Sequence, residues 1–106
     1  MATVIVIDDD RVVRKILATA LIKAGWSVVE AADGQEGIQK ALELKPAAVI
    51  CDLMMPRGNG FQVCRALREE SAELPDLRIV VITARIFDID RVNALESGAD
   101  ELLTKP

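Results

Sequence analysis

Residues Ala47 to Gly60 read A-A-V-I-C-D-L-M-M-P-R-G-N-G, and this stretch decides the fold class. Ala47 to Cys51 is a short apolar run with no alternation, the pattern of a strand buried on both faces, as in a parallel sheet. Asp52 closes the run. Pro56, Gly58 and Gly60 then stop the strand and turn the chain. A lone carboxylate is thus placed at the carboxyl end of a buried strand, where open α/β sheets build their sites. Taken alone, Asp52 fits a helix cap or turn residue better than a site. The rest of the chain has to decide.

Upstream, Val4 to Ile7 is a second all-apolar run, hence a central strand, and it ends in Asp8-Asp9-Asp10. Val13, Ile16, Leu17, Ala20, Leu21 and Ala24 then recur at helical spacing, with Asp10 at or near the N-cap and Gly25 as the stop. Trp26 to Glu30 suits a strand nearer an edge. Asp33-Gly34-Gln35-Glu36 fits a capping box opening a helix with Ile38, Ala41 and Leu42 on one face, ended by Lys45-Pro46. Downstream, Phe61 to about Glu70 reads as a helix burying Phe61, Cys64 and Leu67. Ser71 to Leu77 reads as a surface connection, and Arg78 to Thr83 as a fourth strand. Asp88 to Ser97 is a fourth helix with Ile89, Val92 and Leu95 inward, stopped by Gly98. Glu101 to Leu103 is a short fifth strand. The order βαβαβαβαβ, with right-handed crossovers, gives one α/β domain: a doubly wound parallel sheet with helices on both faces. The helix that should follow a fifth strand is expected beyond Pro106.

Composition narrows the function classes. A chain of 106 residues, 51% hydrophobic but only 3% aromatic, builds one core from Val, Ile, Leu and Ala. Its net charge of -4 argues against nucleic-acid binding by this domain. The absence of histidine removes His-based acid–base catalysis, most zinc sites and any phosphohistidine relay within the chain. Cys51 and Cys64 read as small buried hydrophobes, consistent with a cytoplasmic protein. No targeting signal or membrane span is expected, because three aspartates cut the N-terminal apolar run short.

The remaining polar residues gather at strand ends: Asp8-Asp9, Asp52, Thr83 and Lys105. In a sheet of order 2-1-3-4-5, strands one and three are neighbours, so the acidic pair lies about 5 Å from Asp52. Three carboxylates so close repel unless a cation resolves them, and hard oxygen ligands suit Mg²⁺. Thr83 and Lys105 add a hydroxyl and a fixed positive charge. A metal facing a Lys and a Thr across a carboxylate is how a phosphoryl group is held.

With these motifs the chain resembles a response-regulator receiver domain of two-component signalling, of the chemotaxis-receiver kind, over essentially all its length. The motifs are Asp8-Asp9, D-L-M-M-P-R-G-N-G from Asp52, Thr83-Ala84 and Lys105-Pro106. The resemblance supplies the flavodoxin-like order 2-1-3-4-5 and implies a domain over 1–106 truncated after strand five. It implies Asp52 as the nucleophile toward a phosphohistidine on a sensor histidine kinase or phosphotransfer protein, or toward acetyl phosphate. Asp9, Asp52 and the Met54 carbonyl would ligate Mg²⁺ directly, and Asp8 mainly through water. Thr83 and backbone N–H groups near Leu53 and Ala84 would bind phosphoryl oxygens, with Lys105 pairing to the charge. A cis Lys105-Pro106 peptide, self-dephosphorylation by water, an output domain beyond Pro106 and a homodimer are further implications.

Each residue also has a plainer reading. Asp10 is a cap rather than a ligand, Met54 and Met55 fill loop and core, and Arg85 is surface. Should Met54 and Arg85 lean over the pocket, they would govern water access. One departure stands out: receivers commonly carry Tyr or Phe three residues before the lysine, and here Leu102 stands there in a chain without tyrosine. Output is therefore expected through Ala84 to Asp90, where Ile86 and Phe87 look exposed for a loop. The main alternative is a receiver-like docking module independent of phosphorylation. An Mg²⁺-dependent phosphatase acting on separate substrates is disfavoured, because Met54 occupies the place of its second acid–base carboxylate.

Overall fold

A computed structural model of the chain describes residues 2–70 and 76–105. Strands and helices alternate: β1 (Thr3–Ile7), α1 (Arg11–Lys23), β2 (Ser27–Ala31), α2 (Gly34–Leu44), β3 (Ala48–Asp52), α3 (Gly60–Glu70), β4 (Arg78–Thr83), α4 (Asp88–Ser97) and β5 (Glu101–Thr104). All five strands are parallel in the order β2-β1-β3-β4-β5. This is the doubly wound, flavodoxin-like sheet expected. The two unalternating runs lie inside it, with Ile5, Val6, Ile7, Val49 and Cys51 wholly buried. The looser β2 and the short β5 take the edges, where one neighbour suffices.

The chain steps from β1 outward to β2 and then back across the sheet, so right-handed crossovers put α1 on one face and the later helices on the other. On the later-helix face, Ile5, Ile7, Val49, Cys51 and Ile79 pack against Ala41 of α2 and Val63, Cys64 and Leu67 of α3. Leu53, Phe61, Val81 and Ala94 form a smaller cluster that joins α3 to α4. Both cysteines are free and buried, as expected.

The predicted caps form. The Asp10 carboxylate accepts from the N–H groups of Val12 (2.9 Å) and Val13 (3.2 Å), and Gly25 follows α1 at φ +98°. Asp33 accepts from the Glu36 N–H at 2.8 Å, while the Glu36 carboxylate reaches back to the Ala32 N–H at 3.0 Å. These bonds satisfy donors that a helix start otherwise leaves unpaired.

Three expectations about burial need correction. In α1, Val13, Leu17 and Leu21 are half-buried, but Ile16, Ala20 and Ala24 of the expected stripe are exposed, and Ala18 is the buried residue. With no second helix beside α1 among the described residues, only a narrow stripe of it meets the sheet. In α4, Ile89, Val92 and Leu95 point outward, with Leu95 81% exposed, while Ala94 and Ser97 are buried. Asp90, Asn93, Ala94 and Ser97 share the same helical spacing. Leu53 and Phe61 already fill the space beneath, so the helix docks through small residues. Finally, Leu77 belongs to the core and not to a surface connection, because it leads directly into β4; residues 71–75 of that segment lie outside the described residues.

Gly37 gives a stability test. A Cβ added there would overlap the Cδ1 and Cγ1 of Ile7, a wholly buried side chain. On an open helix surface, Gly→Ala would stabilise by about 1 kcal/mol. Here Gly37→Ala should instead destabilise by about 1–3 kcal/mol through overpacking, read from the urea midpoint. A midpoint at or above the parent's would refute this account of α2 packing.

Candidate functional site

Strand register alone assembles the site. Ile7 is paired with Cys51, Asp52 with Ile82, and Thr83 with Thr104. One step past each pairing come Asp8, Thr83 and Lys105, so the polar residues follow one another across three strand ends around Asp52. The sheet buries Asp8 entirely, leaves Asp52 3% exposed and Thr83 4% exposed, and keeps Asp9 at the surface. One ligand atom from each of Asp8, Asp9 and Asp52 can lie within 4.8 Å of the others.

Lys105 sits between the two buried carboxylates, its Nζ 3.1 Å from Asp52 Oδ1 and 3.2 Å from Asp8 Oδ2. Among the described residues Asp8 Oδ2 has this charge contact but no hydrogen bond, while Asp8 Oδ1 accepts from the Asp10 N–H at 2.9 Å. Burial pushes the Asp52 carboxyl up to about 6, against the lowering effect of Lys105, and the neighbouring Asp8 charge pushes the same way. Burial also works against the Lys105 ammonium, yet Asp52 and Asp8 outweigh it and hold the lysine above its usual range. The Cys51 thiol, buried beside Asp52 and Asp8, is pushed up far beyond the range of a reactive thiol.

The structure brings Asp8, Asp9, Asp52 and Lys105 together, with Thr83 at the neighbouring strand end. The Leu53 N–H is not available to a ligand, because it donates to the Ile82 carbonyl at 2.7 Å and continues the β3–β4 ladder. The N–H aimed at Asp52 is that of Met54, 3.4 Å from Oδ1. The Met54 side chain is 73% exposed. Ala84 follows Thr83 at the exposed lip. The Thr83 hydroxyl donates to the Arg85 carbonyl at 3.2 Å. Pro106, and with it the Lys105-Pro106 peptide, lies outside the described residues.

Sequence reasoning missed Arg14. Its Nη1 donates to the Asp8 carbonyl at 2.7 Å, and its Nε pairs with Glu30 Oε1 at 3.0 Å. It thereby ties the end of β1 to β2 beneath the acidic pair. Lys15 and Arg14 together lower the Glu30 carboxyl, which keeps this brace charged. Glu30 lies sixteen residues from Arg14, so no local pattern signals the pairing.

With this geometry in hand, comparisons with known proteins agree with one another. Residues 4–106 match the family model described as the response regulator receiver domain. The response regulator MprA of Mycolicibacterium vanbaalenii is 45% identical over 103 residues, covering 97% of this chain and 43% of its own length. The chain thus spans less than half of the curated relatives it matches. Among solved structures, chemotaxis protein CheY4 of Vibrio cholerae matches with a TM-score of 0.94 and 31% identity, covering all of this chain and 88% of its own. A response regulator from Burkholderia pseudomallei, solved with a phosphorylated aspartic acid, calcium ion and citrate, matches at TM-score 0.89 and 30% identity, over 100% of this chain and 61% of its own. Sheet order, convergent carboxylates and these likenesses place the chain in the family of response-regulator receiver domains.

Proposed function

We propose that this chain is a phospho-acceptor switch that takes a phosphoryl group onto Asp52. The observation that carries the reading is the Asp8–Lys105–Asp52 cluster: a buried nucleophilic carboxylate with a fixed ammonium 3.1 Å away. The donor is a phosphohistidine of a sensor histidine kinase or phosphotransfer protein, or acetyl phosphate. An Asp52 carboxylate oxygen attacks phosphorus, an acyl phosphate forms, and the P–N or P–O bond to the donor breaks with its electron pair leaving on the donor. Lys105 pairs with the added negative charge. The Thr83 hydroxyl, once released from the Arg85 carbonyl, and the N–H groups of Met54 and Ala84 would meet phosphoryl oxygens. Water later attacks phosphorus and returns the free carboxylate and phosphate, so no separate substrate is involved.

The residues fit a divalent cation. Three clustered carboxylates, one with a buried oxygen lacking a hydrogen bond among the described residues, form a hard-oxygen donor set. Asp8, Asp9, Asp52 and the Met54 carbonyl would hold Mg²⁺, which when bound supplies positive charge to the phosphoryl oxygens. In this reading the domain works in the cytoplasm, without contacting membrane or nucleic acid, and serves an output domain beyond Pro106 or a second copy in a homodimer. The acidic balance and the free buried cysteines support it. Among the described residues no helix is long and apolar enough to cross a membrane. Leu102 on β5 is the observation that favours a second reading, a docking module that works without phosphorylation.

Acetyl phosphate with Mg²⁺ should add one phosphoryl group to the chain, seen by mass spectrometry. Asp52→Asn should abolish the gain, and Lys105→Met should slow it at least about tenfold. No gain in the parent chain would favour the docking module. Turnover of unrelated phosphate esters would favour an enzyme.

The raised Asp52 value makes a separate prediction for the metal-free protein. A carboxyl raised in the folded state contributes stability that is whole below the unfolded value of about 4. That contribution is lost as pH rises through the folded value of about 6. At pH 7 without metal, Asp52→Asn should therefore be the more stable protein, by about 1–3 kcal/mol, and Mg²⁺ should stabilise the parent more than the variant. Thermal unfolding from pH 4 to 7 checks both. Parallel curves for the two proteins would show that Asp52 is not strained by its surroundings.

A further inference from the structure

We infer that Arg85 and Phe87 are positioning residues that hold the Thr83 hydroxyl out of the pocket, so that phosphorylation at Asp52 is reported through the start of α4. The inference rests on the phospho-acceptor reading above and deepens it. A threonine hydroxyl carries a single proton. In this structure it is given to the Arg85 carbonyl at 3.2 Å, and Thr83 is 4% exposed, so water offers little alternative. Donation to a phosphoryl oxygen therefore requires that the bond to Arg85 be broken. The exchange has a cost set by how firmly Arg85 is held.

What holds it is aromatic. The Arg85 guanidinium carbon lies 4.8 Å from the centre of the Phe87 ring, within the range of a cation–π contact. Phe87 is 53% exposed and contributes to neither buried cluster. Its backbone is nevertheless fixed as the N-cap of α4: the Phe87 N–H donates to Asp90 Oδ2 at 2.8 Å, and the Phe87 carbonyl accepts from the Asp90 N–H at 3.0 Å. The path from Thr83 to the helix is thus only four residues long, a carbonyl at one end and a ring at the other. Releasing the carbonyl loosens the guanidinium from the ring and frees the first turn of α4. Leu102 has no hydroxyl or ring to take part, and packs instead with the cluster that includes Ala94. The latch lies on the β4–α4 loop and needs no aromatic on β5.

Replacing Phe87 with leucine keeps both backbone bonds to Asp90 and removes only the π face. The test uses the full chain in saturating Mg²⁺ and titrates beryllium fluoride as the phosphoryl mimic, by calorimetry and by backbone amide NMR. In the parent protein, amides 85–90 should shift on binding. Phe87→Leu and Arg85→Met should each bind the mimic about two- to fivefold more tightly, the fold-change expected from losing an exposed cation–π contact. Phe87→Trp, which offers a better ring face, should return the affinity to the parent value or below it. Mg²⁺ affinity should be the same in all four proteins. Equal affinities for the mimic, unmoved amides 85–90, or a change in Mg²⁺ affinity matching the change for the mimic would overturn the latch while leaving the acceptor reading intact. Failure of the parent chain to bind the mimic at all would overturn both.

Discussion

Two buried carboxylates share one ammonium at the carboxyl edge of the sheet, and the rest of the molecule accommodates that fact. Burying an ionised carboxylate costs several kcal/mol unless a partner compensates, and Lys105 stands about 3 Å from both Asp8 and Asp52. One positive charge between two negative ones leaves an excess. Burial, with the Asp8 charge pushing the same way, raises the Asp52 carboxyl toward neutrality, and the two carboxylates hold the lysine above its usual range. A fold that only had to be stable would not keep this arrangement. It is suited to receiving further positive charge and to a nucleophile whose own charge is poorly solvated.

That cluster requires a rigid frame, and the central strands supply it. β1 is buried on both faces, and β3 buries Val49 and Cys51 on one face while Ala48 and Ile50 on the other stay half-buried, so neither register can slip without moving a buried hydrophobic set. Arg14 fixes the Asp8 carbonyl, inside the acidic pair, and the Leu53 N–H extends the ladder past Asp52. Asp52 is thus held by main-chain bonds on one side and an ion pair on the other, with little freedom to reorient.

The opposite holds around α4. Its C-terminal end is pinned by Arg68, which donates to the Gly98 carbonyl at 2.9 Å and the Leu77 carbonyl at 2.7 Å and pairs with Asp100 at 2.7 Å. Gly98 is at φ +87°, and a Cβ there would lie 2.9 Å from Arg68 Cγ, so the clamp needs glycine. Among the described residues the N-terminal half has no such side-chain clamp: Phe87, Ile89 and Val92 are exposed, and the buried residues of the helix are Ala94 and Ser97. A helix fixed at one end and lightly packed at the other is a low-stability element. Its free end begins four residues after Thr83.

The sequence by itself determined the element order, the parallel sheet and nearly every element boundary to within a residue or two, because unalternating apolar runs, caps and glycine stops are local signals. It also named Asp8, Asp9, Asp52, Thr83 and Lys105, since in a parallel sheet the carboxyl ends of successive strands share one edge. Tertiary structure alone decided which face of each helix is covered. Ile89, Val92 and Leu95 satisfy the helical period as well as Asp90, Asn93, Ala94 and Ser97 do, and only the volume already occupied by Leu53 and Phe61 selects the smaller set. It alone decided how hydrogen-bond donors are spent: Leu53 on the ladder, Met54 toward Asp52, Thr83 on Arg85. Periodicity records which residues share a face. Which face is buried, and which partner a donor finds, depends on atoms brought from elsewhere in the chain.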